Sequence, residues 1–310
     1  MNSLKIAIMP AVEHLRRRKL KQLTVLLAFI TCAAFLPALT FGAAAPWQQP
    51  YTTVTGLDFR EADRRISYGA APQQFVDLWL PSGADAPAPV AVLIHGGCWL
   101  SDYDIAHVRP LATALADAGF AVWGVEYRRV GNAGGGWTGT FDDVASAIDL
   151  LSSVEDDRLD VSRVAAVGHS AGGHLALWLA ARPSFTPAHP MYTPTAQRLR
   201  GAVGLAAITN LVDYARGDSS CQRVTPRLLG GSSETWPERY LYTSPVSLPA
   251  GAPVTLLQGT ADRIVSTDQA AAMPGARVIH LEGAGHFDLV HPHTQAFPQL
   301  VKTLQEMLTP

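Results

Sequence analysis

Apolar residues fall along this chain in two kinds of run. Short continuous blocks, Val90 to Ile94, Phe120 to Tyr127, Arg163 to Val167, Gly201 to Ala207, Pro253 to Gly259 and Ala276 to Leu281, predict strands, with Val90 to Ile94 expected to be buried on both faces. Between and after them, Ile105 to Ala118, Phe141 to Ser152, Gly173 to Ala181 and about Gln295 to Met307 repeat apolar residues at helical spacing, with Gly119 and Pro183 as stop signals. Ahead of this series, Tyr51 to Arg60 and Phe75 to Leu80 carry β-branched and aromatic residues around polar turn material from Ser67 to Gln74, which predicts an antiparallel opening. Strand and helix then alternate. The expected fold is therefore α/β, a mostly parallel central sheet flanked by helices. The glycines Gly134 to Gly136 mark a loop, and the Gly-, Pro- and Ser-rich stretch 209–247 predicts a small lid-like insertion.

The first residues follow a different pattern. Arg16-Arg17-Arg18-Lys19 and Lys21 precede an apolar stretch from Leu23 to Phe41, and Gly42-Ala43-Ala44-Ala45 closes it with small residues. That order predicts a signal peptide over residues 1–44, cut after Ala44, and an exported mature chain, periplasmic or secreted. Thr31, Pro37 and Thr40 interrupt the stretch and argue against a retained membrane anchor, and Ile30-Thr31 before Cys32 is a poor context for lipid attachment. Residues 45–310 are then expected to form one catalytic domain. A net charge of −2, with no basic cluster after the leader, makes nucleic acid an unexpected partner.

Chemistry concentrates at strand ends. Gly168-His169-Ser170-Ala171-Gly172 follows one buried strand and opens a helix, the setting in which Gly-x-Ser-x-Gly forces a turn tight enough to project the serine oxygen above a sheet. Ser170 is the expected nucleophile. His95-Gly96-Gly97-Cys98-Trp99 follows an earlier strand, where main-chain N–H groups can face a developing oxyanion; Gly97, Cys98 and Ala171 are the expected donors. The expected base is His286, in the small-residue loop Gly283-Ala284-Gly285-His286, ahead of His291 and His293. Asp262, directly after the strand ending at Gly259, is the expected acid, ahead of Asp218 and Asp268. The order Ser170, Asp262, His286 differs from the orders used by chymotrypsin- and subtilisin-type enzymes.

Cys98 and Cys221 are the two cysteines left after the leader, and a bond between them would tie the lid segment to the oxyanion loop in an oxidising compartment. No metal-ligand spacing and no phosphate-binding glycine loop occurs, so neither metal nor cofactor is expected.

Together, His95-Gly96-Gly97-Cys98-Trp99, Glu126-Tyr127-Arg128 and the run Gly168 to Ala176 resemble the esterase/lipase branch of the α/β-hydrolases, in detail the BD-FAE-like group of kynurenine formamidases and small feruloyl or acetyl esterases. The resemblance covers roughly Phe75 to Leu308 and implies a serine hydrolase acting on a carboxylic ester of a small or aromatic molecule through an acyl-enzyme. It departs from the group at Cys98, where Gly or Tyr is usual. The alternatives are an amide hydrolase, either a formamidase or an exopeptidase of the prolyl-oligopeptidase type, and a catalytically silent binding module of the same fold. Trp236, Tyr240 and Tyr242 suggest either an aromatic acyl pocket or the core of the lid.

Overall fold

Alternate side chains of the segment Ala88–Ile94 leave the sheet in opposite directions. Val90, Val92 and Ile94 enter one buried cluster, and Ala91 and Leu93 enter the other. That two-sided burial is what a continuous apolar block dictates, because side chains in a strand alternate with period two.

The computed structural model describes residues 46–83, 86–249 and 251–309, all within a compact unit that begins at Ala43; the expected signal peptide lies outside the described residues. Eight strands form a single sheet: β1 Arg64–Ser67, β2 Phe75–Trp79, β3 Ala88–Ile94, β4 Ala121–Val125, β5 Leu159–His169, β6 Gly201–Leu205, β7 Val254–Gly259 and β8 Arg277–Leu281. Their spatial order is β1-β2-β4-β3-β5-β6-β7-β8. β2 runs antiparallel to both β1 and β4, and every other pairing is parallel.

Helices cover both faces. On one side lie Gly139–Asp149 and Ala171–Ala181, which contribute Phe141, Val144, Leu175 and Trp178 to the core; on the other lie Arg109–Asp117 and Ala296–Leu308, which contribute Leu111, Leu115, Leu300 and Leu304. Each such aliphatic side chain contributes on the order of 1.5 to 3 kcal/mol on burial. The chain leaves β3 by one face to reach β4 and leaves β4 by the other to reach β5. The C-terminal ends of β3 and β5 therefore border the crevice where an open α/β sheet offers a binding site.

The opening of the domain corrects one expectation. Tyr51–Thr55 is a helix, not the strand expected over Tyr51 to Arg60, and the true partner of β2 is Arg64–Ser67. In the helix only Val54 is buried, so its β-branched threonines carry no sheet-packing information. β1 is an edge strand with an exposed, polar face, held by its backbone ladder and by Arg65, which grips Asp77 with Nε at 2.7 Å and Nη2 at 2.8 Å. A hydrophobic pattern cannot reveal such a strand.

Between β6 and β7 the expected irregular stretch contains the short helices Leu211–Tyr214, Thr225–Leu229 and Pro237–Thr243. Tyr240 is buried there, with its hydroxyl donating to the Gly231 carbonyl at 3.1 Å, while Trp236 lies at the surface beneath the Arg239 guanidinium. Both aromatics thus make contacts within the excursion itself.

Candidate active site

Ser170 joins β5 to the helix Ala171–Ala181 with φ 56° and ψ −118°, a conformation that costs a non-glycine residue on the order of 1 to 3 kcal/mol. Its surroundings hold it there. The Ser170 N–H donates to the Leu205 carbonyl at 2.8 Å, and the His174 N–H donates to the Ser170 carbonyl at 3.1 Å. A side chain on Gly168 would stand 2.0 Å from the Gly172 carbonyl oxygen, and one on Gly172 would stand 2.2 Å from that of Ile94. The two glycines of the pentapeptide are thus demanded by backbone-to-backbone contact, which is why the turn can be so sharp.

His286 lies in the loop after β8 and Asp262 in the loop after β7, as their strand-end positions predict. The imidazole Nδ1 and the Asp262 carboxylate Oδ2 are 2.7 Å apart, with the carboxylate fully buried. The other oxygen of Asp262 accepts the N–H groups of Ile264 at 2.8 Å and Val265 at 2.9 Å. Those bonds fix the carboxylate, which in turn places the proton of His286 on Nδ1 and leaves Nε2 available to accept one. Of the rivals, Asp218 and Asp268 are exposed, His293 is exposed, and His291 is buried. His291 Nδ1 is occupied by the His293 N–H at 3.2 Å.

The expected oxyanion loop is a tight turn of left-handed residues. φ is 100° at Gly97 and 55° at both Cys98 and Trp99, and the Leu100 N–H closes the turn onto the Gly97 carbonyl at 2.9 Å. Gly97 has no room for a side chain, because Tyr103 Cβ would lie 2.3 Å from it. Ala171 opens its helix, so its N–H is among those the helix cannot pair internally. Cys98 is joined to Cys221 by a disulfide, with Cα atoms 5.0 Å apart, and its side chain is thereby drawn towards the excursion between β6 and β7.

Beneath this loop lies a buried polar network that the sequence motif only hinted at. Glu126 accepts a short hydrogen bond from Arg129, the Ile105 N–H at 2.9 Å and the Tyr127 N–H at 2.8 Å. Burial alone would raise its carboxyl pKa, but His95, Arg129 and the Ile105 N–H outweigh that and hold it at about 2. The Tyr127 hydroxyl donates to the His95 carbonyl at 2.8 Å.

A second network supports His286. His169 Nε2 donates to the His286 carbonyl at 3.0 Å, so His169 Nδ1 must accept, and it does so from His107 Nε2 at 2.9 Å. Burial pushes the His107 pKa down to about 3 and that of His169 well below its ordinary value, with the neighbouring imidazoles adding to both. Both rings are therefore neutral at physiological pH. Among the described residues, no group of three or more His, Cys, Asp and Glu could hold a metal ion.

Fold and site together define the class. An eight-stranded, mostly parallel sheet with a strained serine after its fifth strand is the α/β-hydrolase fold. Solved structures agree. A truncated carbohydrate esterase from gut microbiota superimposes with a TM-score of 0.67, at 20% identity over 79% of this chain and 95% of its own. Thermogutta terrifontis esterase 2 phosphonylated by sarin superimposes with a TM-score of 0.63, at 20% identity over 80% of this chain and 96% of its own.

The BD-FAE family profile matches residues 76–276, and the chain belongs to that family. Among curated relatives, "Esterase LipC" of Mycobacterium tuberculosis is 27% identical over 73% of this chain and 60% of its own length. The Oryza sativa protein named "Probable isoprenylcysteine alpha-carbonyl methylesterase ICME" is 26% identical over 74% of this chain and 59% of its own. The chain thus spans about six-tenths of the length of these relatives.

Proposed function

We propose that this protein is a serine carboxylesterase in which Ser170 is the nucleophile, His286 the general base and Asp262 the residue that fixes the imidazole. Ser170 Oγ bonds to the ester carbonyl carbon as its proton passes to His286 Nε2. The oxyanion that forms is held by the N–H groups of Gly97, Cys98 and Ala171. Collapse breaks the bond to the alcohol, which leaves with the proton from His286, and water then repeats the sequence on the acyl-enzyme to release the acid and restore Ser170.

The observation that carries this reading is the buried Asp262–His286 hydrogen bond of 2.7 Å, set at the same end of the sheet as the strained Ser170 turn. The esterase names of the mycobacterial and plant relatives support an ester as substrate, and the capture of an organophosphonate by a protein of the same fold supports a serine nucleophile. The substrate is a small molecule. The basic, apolar and small-residue order of residues 1–44 supports export as a mature chain starting near Ala45, free of a membrane anchor.

The test is labelling of the mature protein with a fluorophosphonate, wild type against Ser170→Ala, followed by turnover of p-nitrophenyl acetate, N-formylkynurenine and aminoacyl nitroanilides. Labelling that requires Ser170, with the nitrophenyl ester turned over fastest, is the expected result. Faster turnover of N-formylkynurenine or a nitroanilide would make the protein an amide hydrolase, and absence of labelling in folded protein would make it a binding module.

A further inference from the structure

Asp288 follows the proposed base by two residues and is fully buried, and among the described residues it forms no ion pair. Its carboxylate instead gathers three main-chain donors: the Gln48 N–H at 2.5 Å and the Gly285 N–H at 2.6 Å on Oδ2, and the Gln49 N–H at 2.8 Å on Oδ1. Gly285 is the residue before His286. Gln48 has φ 68°, a left-handed turn that directs two successive N–H groups to one side, the arrangement that grips an anion. A carboxylate accepting several buried N–H groups forms charge-assisted bonds about twice as strong as neutral ones. The segment ahead of the helix Tyr51–Thr55 is therefore bolted to the turn that carries His286.

The attachment continues into the side chains. Tyr51 packs edge-on or tilted against His107, Phe287 and Tyr103, with ring centroids 5.5, 5.4 and 5.7 Å away. His107 is the donor that sets the His169 tautomer, and Tyr103 is the residue that fills the space beside Gly97. The stretch from Trp47 to Tyr51 thus touches the supports of both the base and the oxyanion loop.

We infer that Asp288 is a positioning residue for His286 and that residues 47–51 are part of the active-site scaffold, an inference that rests on the reading of His286 as base. His286 is then held at three points: its ring by Asp262, its carbonyl by His169 and the preceding N–H by Asp288. A displacement of the imidazole by about an ångström slows a reaction about a hundredfold without altering how substrate is bound.

The test compares Asp288→Asn, Tyr51→Ala and His286→Ala in the full mature chain with Asp143→Asn, a buried carboxylate that serves Arg128 and Gln74. The fluorophosphonate labelling rate, the final labelled fraction, and kcat and KM for a nitrophenyl ester are measured for each. For Asp288→Asn the expected result is a labelling rate and kcat lowered about 10- to 100-fold, with KM within about twofold of wild type and the full labelled fraction reached at long times. Tyr51→Ala, at a half-buried position, is expected to lower the same two rates about three- to tenfold, and it decides the matter if Asp288→Asn does not fold. Wild-type rates in either folded variant, or a loss of labelled fraction that merely parallels Asp143→Asn, would overturn the inference. If His286→Ala labels as fast as wild type, the assignment of the base has failed instead, and that outcome is read separately.

Discussion

The hydroxyl of Tyr127 reaches across from the end of β4 to donate to the main-chain carbonyl of His95 at 2.8 Å, and both residues are wholly buried. Their rings also stack, with centroids 4.4 Å apart. His95 is the residue at which β3 turns into the proposed oxyanion loop, so this one bond ties the loop's first residue to the segment that follows the neighbouring strand. Tyr127→Phe keeps the stacking but leaves a buried carbonyl unpaired, which costs about 1 to 3 kcal/mol. Urea denaturation should show that loss, together with a lower kcat in the protein that remains folded.

Asp262→Asn tests the orientation of the proposed base. The side-chain oxygen can still accept the N–H groups of Ile264 and Val265, but the amide NH2 then faces Nδ1 and forces the imidazole into the tautomer that cannot accept a proton at Nε2. A fall in kcat on the order of 10^3 to 10^4, with thermal stability little changed, is the expected outcome in ester turnover assays.

The bond between Cys98 and Cys221 closes a loop with a sequence separation of 123. On the chain-entropy account a closure of that length stabilises the folded state by about 3 to 5 kcal/mol. The double variant Cys98→Ser, Cys221→Ser should unfold at correspondingly lower urea concentration. Wild type treated with dithiothreitol should behave like the variant, and an unchanged midpoint in both would refute the expectation.

Three buried histidines predict acid lability. Burial lowers the pKa of His107 to about 3, that of His174 to about 4 and that of His169 well below 6.5. The unfolded chain takes up these protons near pH 6.5 while the folded chain refuses them, so stability is fully present above that pH and is lost as pH falls towards 4. Each histidine contributes about 1.4 kcal/mol per pH unit through this window. Denaturation series from pH 7.5 to 5 should show that slope, and His174→Gln should reduce it by about one proton.

The features legible in the sequence share a cause. Ser170 lies between glycines that backbone contacts require, and Asp262 follows an apolar block that is buried in the sheet, whereas His286 follows β8, a half-exposed edge strand marked in the sequence only by its run of β-formers. Local composition therefore carries the signal. Position-holding groups are different: Asp288 accepts donors 240 and 239 residues away, and His107 meets His169 across 62 residues, so only the folded chain reveals them. The short distance from His286 to Asp288 was the one available hint. The mistaken strand at Tyr51 and the overlooked one at Arg64–Ser67 have a related origin, since both segments are half-exposed and take their conformation from what they pack against.

The left-handed turn at Gln48 has a practical side for anyone producing this protein. An affinity tag or fusion partner joined just ahead of Pro46 would stand two residues from Gln48, whose N–H is one of the donors that tie this segment to Asp288. The helix Ala296–Leu308 packs along the sheet and is followed by the exposed Thr309. Purification handles belong there, and preparations tagged at opposite ends should not be assumed to have the same specific activity.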